Sequence, residues 1–472
     1  MSDPATSGMP RSPSRIVAVG IILAALIAWV GLALHRPMDG DDGLYHYAAV
    51  RVAGGAVPYR DVFFPQMPYV LYPYALAGPS YLATRILSVA MAAGSLVLFA
   101  VLTRNRGVGG LLTLLLLALN VQFLVWMPCL KTYSMTILLS MGAFLLAQDP
   151  TPRRVLGAGL CLGALVSTRL LYAPFPLIFA VALAFPAAGR GRRLLSLGTG
   201  LLLASLPCLF LALVSPSDFL ANVLGHHLIR SPEGAVANLG QKGEVLEKLL
   251  LRPQWVLLLG LAVVGLARLR SPAQWLALGC AGSLTAMSLL PTPSYEQYFV
   301  CVVPFVAFLA VPALEVPPGR AGWGPVTLLL AIYAAAVPQG YRDQLGDMPS
   351  HDLREIEAVA RAIEARSRPG EEILSFWAGY AAITRTRVPQ GMDNCCQYEI
   401  SQERMSAEGR RALRIPGRAE VDSWIRERRY AVVQIGGYFQ STAEAQRLRQ
   451  LLAEASYATV LTSFDRSVHE RR

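Results

Sequence analysis

Charge is what this sequence has least of. Asp, Glu, Lys and Arg make up 15% of the 472 residues, against about 25% in an ordinary soluble protein. Hydrophobic residues reach 54% and mean hydropathy is +0.43, so lipid rather than water solvates most of the chain. A cysteine framework is also missing. Cys129, Cys161, Cys208, Cys280 and Cys301 fall in or beside apolar runs and read as small core residues. Only Cys395-Cys396 lies in a polar stretch, without metal-ligand spacing or a suitable His cluster. If that stretch lies outside the cytoplasm the pair admits a vicinal disulfide, at the cost of a strained ring.

Other absences exclude whole classes of function. The sequence has no Walker A loop, Rossmann fingerprint, HExxH or GxSxG, which argues against ATP-driven, redox and serine-hydrolase chemistry. It has no internal repeat visible by eye and no low-complexity tract beyond the first 15 residues. The formal charge of +11 could suggest a nucleic-acid partner, but its distribution argues otherwise. From Tyr341 onward 20 Arg stand against 19 Asp and Glu, a net of +1 that leaves +10 for the preceding part. That excess sits in short links between apolar runs, where it signals topology rather than a phosphate-backbone footprint.

What is present is a series of 11 apolar runs, at Ile16 to Leu34, Ser80 to Leu102, Gly107 to Met127, Thr132 to Ala147, Val155 to Ser167, Leu171 to Phe185, Leu194 to Val214, Trp255 to Ala267, Ala273 to Leu290, Tyr298 to Leu314 and Trp323 to Val337. Several fall short of the ~20 residues of a perpendicular span. The first run is too long for the ~7 to 15 residues of a signal-peptide core and has no cleavage site before the next loop, so it reads as an uncleaved helix. Arg11 and Arg15, Arg104 and Arg106, Arg153 and Arg154, Arg190, Arg192 and Arg193, and Arg268 and Arg270 occupy alternate links. The positive-inside rule assigns these links, and the tail 1–15, to the cytoplasm. The opposite side then receives the first loop (35–79), Lys131, Arg169, the long segment 215–252, Pro291 to Gln297 and everything after Val337.

Nearly every unusual polar group near the membrane sorts to that outer side: Asp41, Asp42, Lys131, Arg169, His226, His227, Tyr295 and Glu296. Asp39-Gly40-Asp41-Asp42-Gly43-Leu44-Tyr45-His46-Tyr47 places three carboxylates in four positions just past the first apolar run, a costly arrangement at a membrane surface unless something uses it. One Asp before Gly43 would serve as an N-cap; two or three suit a site, where one acid raises the pKa of its neighbour and makes it a better general base. Lys131 and Arg169 close helix ends, where snorkelling is the plain alternative. As a pair they would cradle a phosphate or diphosphate that departs with negative charge, with Arg85 as a third cation. His226 and His227 would point about 100° apart on a helix, which favours hydrogen bonding over shared metal ligation. Tyr295-Glu296-Gln297-Tyr298 either belts the interface or closes over a sugar.

Beyond Tyr341 the pattern becomes that of a small α/β domain, about 120 residues long within 341–472. Leu353 to Arg366 reads as an amphipathic helix ended by Arg368-Pro369-Gly370, Ile373 to Phe376 and Tyr430 to Ile435 as buried strands, and Ala443 to Ala455 as a helix.

Asp41-Asp42-Gly43-Leu44-Tyr45 resembles the Asp-[Glu/Asp]-x-x-[Tyr/His] signature in the first extracytoplasmic loop of GT-C glycosyltransferases, most closely the protein O-mannosyltransferases, the lipid A aminoarabinose transferases and their bacterial relatives. Gly55 to Phe64, with Pro58, Tyr59, Arg60 and Asp61, is similar to a recurring element of those relatives. The resemblance implies a polytopic α-helical membrane protein, GT-C-like over 16–340, in a bacterial inner membrane, with its C-terminal α/β domain outside. It implies inverting transfer of a sugar from a polyprenyl-phosphate donor to an extracytoplasmic acceptor. Asp41 would be the base, and Asp42 would take the place usually held by Glu. Lys131 and Arg169 match the phosphate-binding residues by topological position alone. Tyr45, Tyr59, Arg60, Asp61, His226, His227, Tyr295 and Glu296 complete the expected substrate contacts. No cofactor is required, room is left for a divalent cation, and no nucleic acid is expected. The competing reading from another class is a multi-span transporter or flippase of a lipid-linked or anionic substrate, against which stand the polar tail and the lack of repeats or midspan ionisable groups.

Overall fold

The computed structural model describes residues 13–185, 187–230, 238–268, 271–315, 323–345, 352–438 and 440–472; the side chains of Cys395 and Cys396, Arg11, Arg270 and part of the 215–252 segment lie outside the described residues. The chain is mostly helical, with one small sheet near its C-terminus. Among the described residues three helices are long and apolar enough to cross a membrane: Ser14–His35, Tyr81–Thr103 and Arg190–Val214. Leu239–Leu250 and Pro253–Leu266 form a fourth only if the pair, bent by 82°, is counted as one. Gly107–Leu119, Tyr133–Ala147, Leu170–Ala184 and Val303–Leu314 are shorter apolar helices. Ile27, Leu195, Phe210 and Leu213 stand exposed on this helical body, as lipid-facing side chains do. Pro152–Thr168 packs closely on Arg190–Val214, where a Cβ at Gly159 would lie 3.1 Å from Gly200 Cα; small residues let two membrane helices approach this far.

The run from Gly107 to Met127 is not one helix. It breaks at Asn120 into Gly107–Leu119 and Val121–Trp126, and polar side chains satisfy the backbone groups freed there, as an apolar interior demands. Asn120 Oδ1 accepts from Phe123 N at 3.1 Å. Gln254 Oε1 accepts from Val121 N at 2.8 Å, while its Nε2 donates to the carbonyls of Leu119 and Tyr333. Hydropathy did not reveal this break, because the residues that repair it come from distant helices.

The polar tail builds a four-stranded sheet in the order β1-β2-β4-β3, from β1 (Leu374–Ser375), β2 (Val432–Ile435), β3 (Tyr457–Ser463) and β4 (Arg466–Arg471). β1 runs parallel to β2, whereas β4 is antiparallel to both β2 and β3. Helices Leu353–Glu364 and Thr442–Glu454 fall within a residue or two of the stretches read from periodicity. The β3–β4 hairpin was not anticipated, since the half-polar β4 lacks a continuous apolar run. Gly436 follows β2 with φ of +84°, and a Cβ there would overlap the Asp465 main chain. Only glycine lets the β3–β4 turn come this close.

Candidate active site

The first loop owes its shape to α2 (Gly40–Ala53), which follows α1 (Pro13–His35) after four residues. Asp39 is its N-cap. The Asp39 carboxylate accepts from Asp41 N at 3.0 Å, and Asp42 returns the bond by accepting from Asp39 N at 3.3 Å. This is a reciprocal cap that satisfies donors the first turn would otherwise leave open. Successive residues on a helix point about 100° apart, and that rotation divides the acidic pair between two environments.

Asp42 turns inward and is fully buried. It pairs with Arg85 at 3.2 Å and Arg36 at 3.6 Å, and accepts from Leu130 N at 3.0 Å and Tyr81 Oη at 3.1 Å. The two terminal nitrogens of Arg85 also donate to the carbonyls of Ala33, Arg36 and Pro37. Neither Asp42 nor Arg85 lines the cavity described below, so they fasten α2 to the helical body. Asp41 turns outward, 42% exposed, and meets Lys131 Nζ at 3.1 Å.

Lys131 lies in the link between Val121–Trp126 and Tyr133–Ala147, itself only 6% exposed, and bridges Asp41 to Asp39 at 2.9 Å over the Trp126 ring. Burial alone would lower its pKa. The Asp39 and Asp41 charges outweigh that and hold the amine well above its ordinary value, as an ammonium. Burial likewise pulls Asp39 up, but Lys131 and Arg36 bring it below the usual carboxylate range.

Asp39, Asp41, Tyr45, Lys131, Arg169, His226, His227 and Tyr295 line one cavity of about 1090 Å³. Every link that the positive-inside rule assigns to the outer side contributes to its wall, down to Gln344, Asn394, Tyr438 and Asp465 in the tail. Links on the other side meet elsewhere: Arg106 pairs with Glu315 at 3.3 Å, and Arg268 donates to Pro312 O. Arg169 caps Pro152–Thr168 and is nine-tenths buried, with its guanidinium 4.5 Å from the Tyr298 ring centre and 5.8 Å from that of Tyr172. Among the described residues no carboxylate pairs with it, although the cavity it faces carries Asp39, Asp41 and Asp465.

The remaining expected contacts divide. His226 and His227 pack edge to face at 5.3 Å, and His227 Nε2 meets Pro65 O at 3.0 Å. Tyr295 packs on Tyr298 at the rim. Glu296 is ion-paired with Arg252 and does not reach the cavity. Tyr59 is buried, bonded to Gln66 O at 2.9 Å with φ of 72°, so it holds the turn that carries Pro65, Gln66 and Met67 to the cavity. Arg60 and Asp61 pair with each other at the surface at 2.8 Å. Asp61 instead borders a second cleft of about 660 Å³, together with Arg51 and Asp393.

Sequence reasoning missed Trp126, over which Lys131 sits, Tyr133 in the same wall, and the contribution of the tail. Tyr133, two residues after Lys131, had a local signal; the others meet the site only through tertiary packing. As for a metal, Asp39 and Asp41 are the carboxylates beside Lys131, and among the described residues no group of three or more His, Cys, Asp or Glu is gathered as ligands.

No protein-family profile and no curated protein matches this sequence. Among solved structures, the chain is similar to ArnT from Cupriavidus metallidurans bound to undecaprenyl phosphate, with a TM-score of 0.69 at 14% identity over 97% of this chain and 98% of that one. The oligosaccharyltransferase of Archaeoglobus fulgidus tethered with an acceptor peptide gives a TM-score of 0.49 at 13% identity, over 80% and 64% of the two chains. The correspondence with ArnT runs from end to end, so the chain shares the fold of that solved structure.

Proposed function

We propose that the chain is a membrane-embedded glycosyltransferase that moves a sugar from a polyprenyl-phosphate donor to an acceptor outside the cytoplasm, with inversion at the anomeric carbon. The observation that carries this reading is the pairing, in one cavity, of a solvent-reached carboxylate, Asp41, with a buried cation, Arg169, that has no carboxylate of its own among the described residues. An unpaired buried guanidinium is costly, and an anionic ligand relieves that cost. The undecaprenyl phosphate bound to ArnT supplies the class of anion.

In this reading an acceptor hydroxyl or amine attacks the anomeric carbon, and the bond from that carbon to the phosphate oxygen breaks. The electron pair leaves on the polyprenyl phosphate, and Asp41 takes the proton from the nucleophile. Arg169 and Lys131 stabilise the charge that develops on the phosphate. Lys131 also touches Asp41, so one ammonium links the base to the leaving group. Tyr45, the His226-His227 pair and Tyr295 would hold sugar and acceptor; Tyr59, Arg60, Asp61 and Glu296 would act through the loops they shape. The donor arrives activated, so no nucleotide site is needed.

The accompanying topology is about 11 spans within 16–340, residues 1–15 in the cytoplasm, and 341–472 on the periplasmic face of a bacterial inner membrane. Changing Asp41 to Asn tests the assignment. With a panel of radiolabelled hexoses and pentoses linked to undecaprenyl phosphate, transfer should fall by a factor of roughly 10² to 10⁴ while undecaprenyl phosphate still binds. Undiminished transfer by a folded D41N protein would reject Asp41 as the base.

A further inference from the structure

The tail has no assigned role, and its contacts with α2 suggest one. Trp377, just after β1, is 3% exposed, and its Nε1 donates to Gly40 O at 3.0 Å, beside Asp41. Its indole lies between two glycines. A Cβ at Gly43 would sit 2.5 Å from Trp377 Cε2 and 2.9 Å from Gly379 Cα, and one at Gly379 would be as close to the same ring. Both are nearer than carbon atoms approach without displacement, so the ring and α2 fit only because position 43 has no side chain.

The contact is not isolated. Tyr438 packs on Trp377 with ring centres 4.5 Å apart, donates to Met38 O and lines the cavity. Further along α2, Val388 N donates to Tyr47 Oη at 3.3 Å. The helix carrying Asp41 is therefore gripped on one side by Arg85, Arg36 and Leu130 through Asp42, and on the other by the tail through Trp377 and Tyr438.

We infer that Trp377 is a positioning residue for the transfer reaction: through Gly40 and Gly43 the C-terminal domain sets the place and direction of Asp41 relative to Lys131 and Arg169. The inference rests on the proposed role of Asp41. Cradling the lipid phosphate needs the cations alone, whereas proton removal needs the carboxylate within about 3 Å of the nucleophile. A displaced α2 therefore slows turnover without weakening donor binding.

The test uses the full-length protein and the undecaprenyl-phosphate sugar that it turns over. Gly43→Ala and Trp377→Phe should each lower kcat by about 10- to 100-fold, leaving KM for the donor and the affinity for undecaprenyl phosphate within twofold of wild type. Gly43→Ala should cost less in a Trp377→Ala background than in wild type, because the indole contacts are gone and only the approach to Gly379 Cα remains. If Trp377→Ala fails to fold, Gly43→Ala and Trp377→Phe decide alone. Wild-type kcat in both, or a loss confined to KM or to thermal stability, overturns the inference. D41N is run beside them. Should D41N remain active, the reading of the site has failed; should it be inactive while both single variants turn over normally, only the role of Trp377 falls.

Discussion

Replacing Asp42 by Asn separates fastening from chemistry, because Asp41 and Asp42 are adjacent yet differently placed. The change removes the charge that faces Arg85 at 3.2 Å and Arg36 at 3.6 Å, two guanidiniums that are 0% and 2% exposed. It also turns an amide NH₂ toward at least some of the donors that Asp42 now satisfies: Arg85, Tyr81, Leu130 N and Asp39 N. Breaking a buried ion pair from one side costs about 3–5 kcal/mol. Arg85 keeps three carbonyl acceptors, and Arg36 keeps Pro37 O and the Trp126 ring, so the lower end, about 3 kcal/mol, is expected. Asp41→Asn neutralises a carboxylate that is itself 42% exposed and leaves the buried Lys131 its Asp39 partner at 2.9 Å, so it should cost about 1 kcal/mol. The assay is the thermal midpoint and inactivation half-life of each variant in detergent, read beside undecaprenyl phosphate binding and sugar transfer. D42N should be much the less stable, while D41N should be near wild type in stability and deficient in transfer. A D42N protein as stable as wild type but as inactive as D41N would refute the division, and would put Asp42 in the chemistry.

Two further outcomes follow from the geometry. Arg169→Met fills similar volume without charge, and should weaken undecaprenyl phosphate binding by about 10-fold or more while flattening the salt dependence of that binding; unchanged affinity would remove Arg169 from the phosphate site. Asp393 is buried beneath the first loop, where burial pushes its carboxyl up to about 7, although it accepts from Phe63 N and lies near Arg51. The folded state therefore holds this proton more tightly than the unfolded chain, and stability from this group is lost as pH rises from about 4 to about 7. The effect is on the order of 4 kcal/mol, and Asp393→Asn should remove it. The thermal midpoint of the variant should gain on wild type between pH 5 and pH 8, and parallel profiles would refute the assignment.

Much of this arrangement was legible in the residues. Alternating Arg-rich links indicated that Asp41, Lys131, Arg169 and the His226-His227 pair share a side, and the structure has them on one cavity wall. Membrane-associated chains disclose this much because the bilayer allows so few ways to arrange a link. Asp42 and Arg85 show where reading stops. Their residue types are those of a site, and only the rotation of α2 turns Asp42 away from the cavity and toward Arg85 on the helix Tyr81–Thr103. The break at Asn120 was hidden for a related reason: hydropathy averages over a window, while Gln254 and Tyr333 repair that break from more than 130 positions away. The role of the tail was invisible too, because a glycine in a helix and a tryptophan after a strand carry no mark of being neighbours.

The link from Trp377 to Gly40 spans 337 positions of chain. The ribosome makes Asp41 early and its indole neighbour late, so during synthesis the acidic helix passes through a long period with one flank bare. A truncated or half-made product would own Asp39, Asp41, Lys131 and Arg169 and still lack the wall that aims them. On the proposed reading, a fragment that ends before Trp377 would therefore bind donor and turn over none of it.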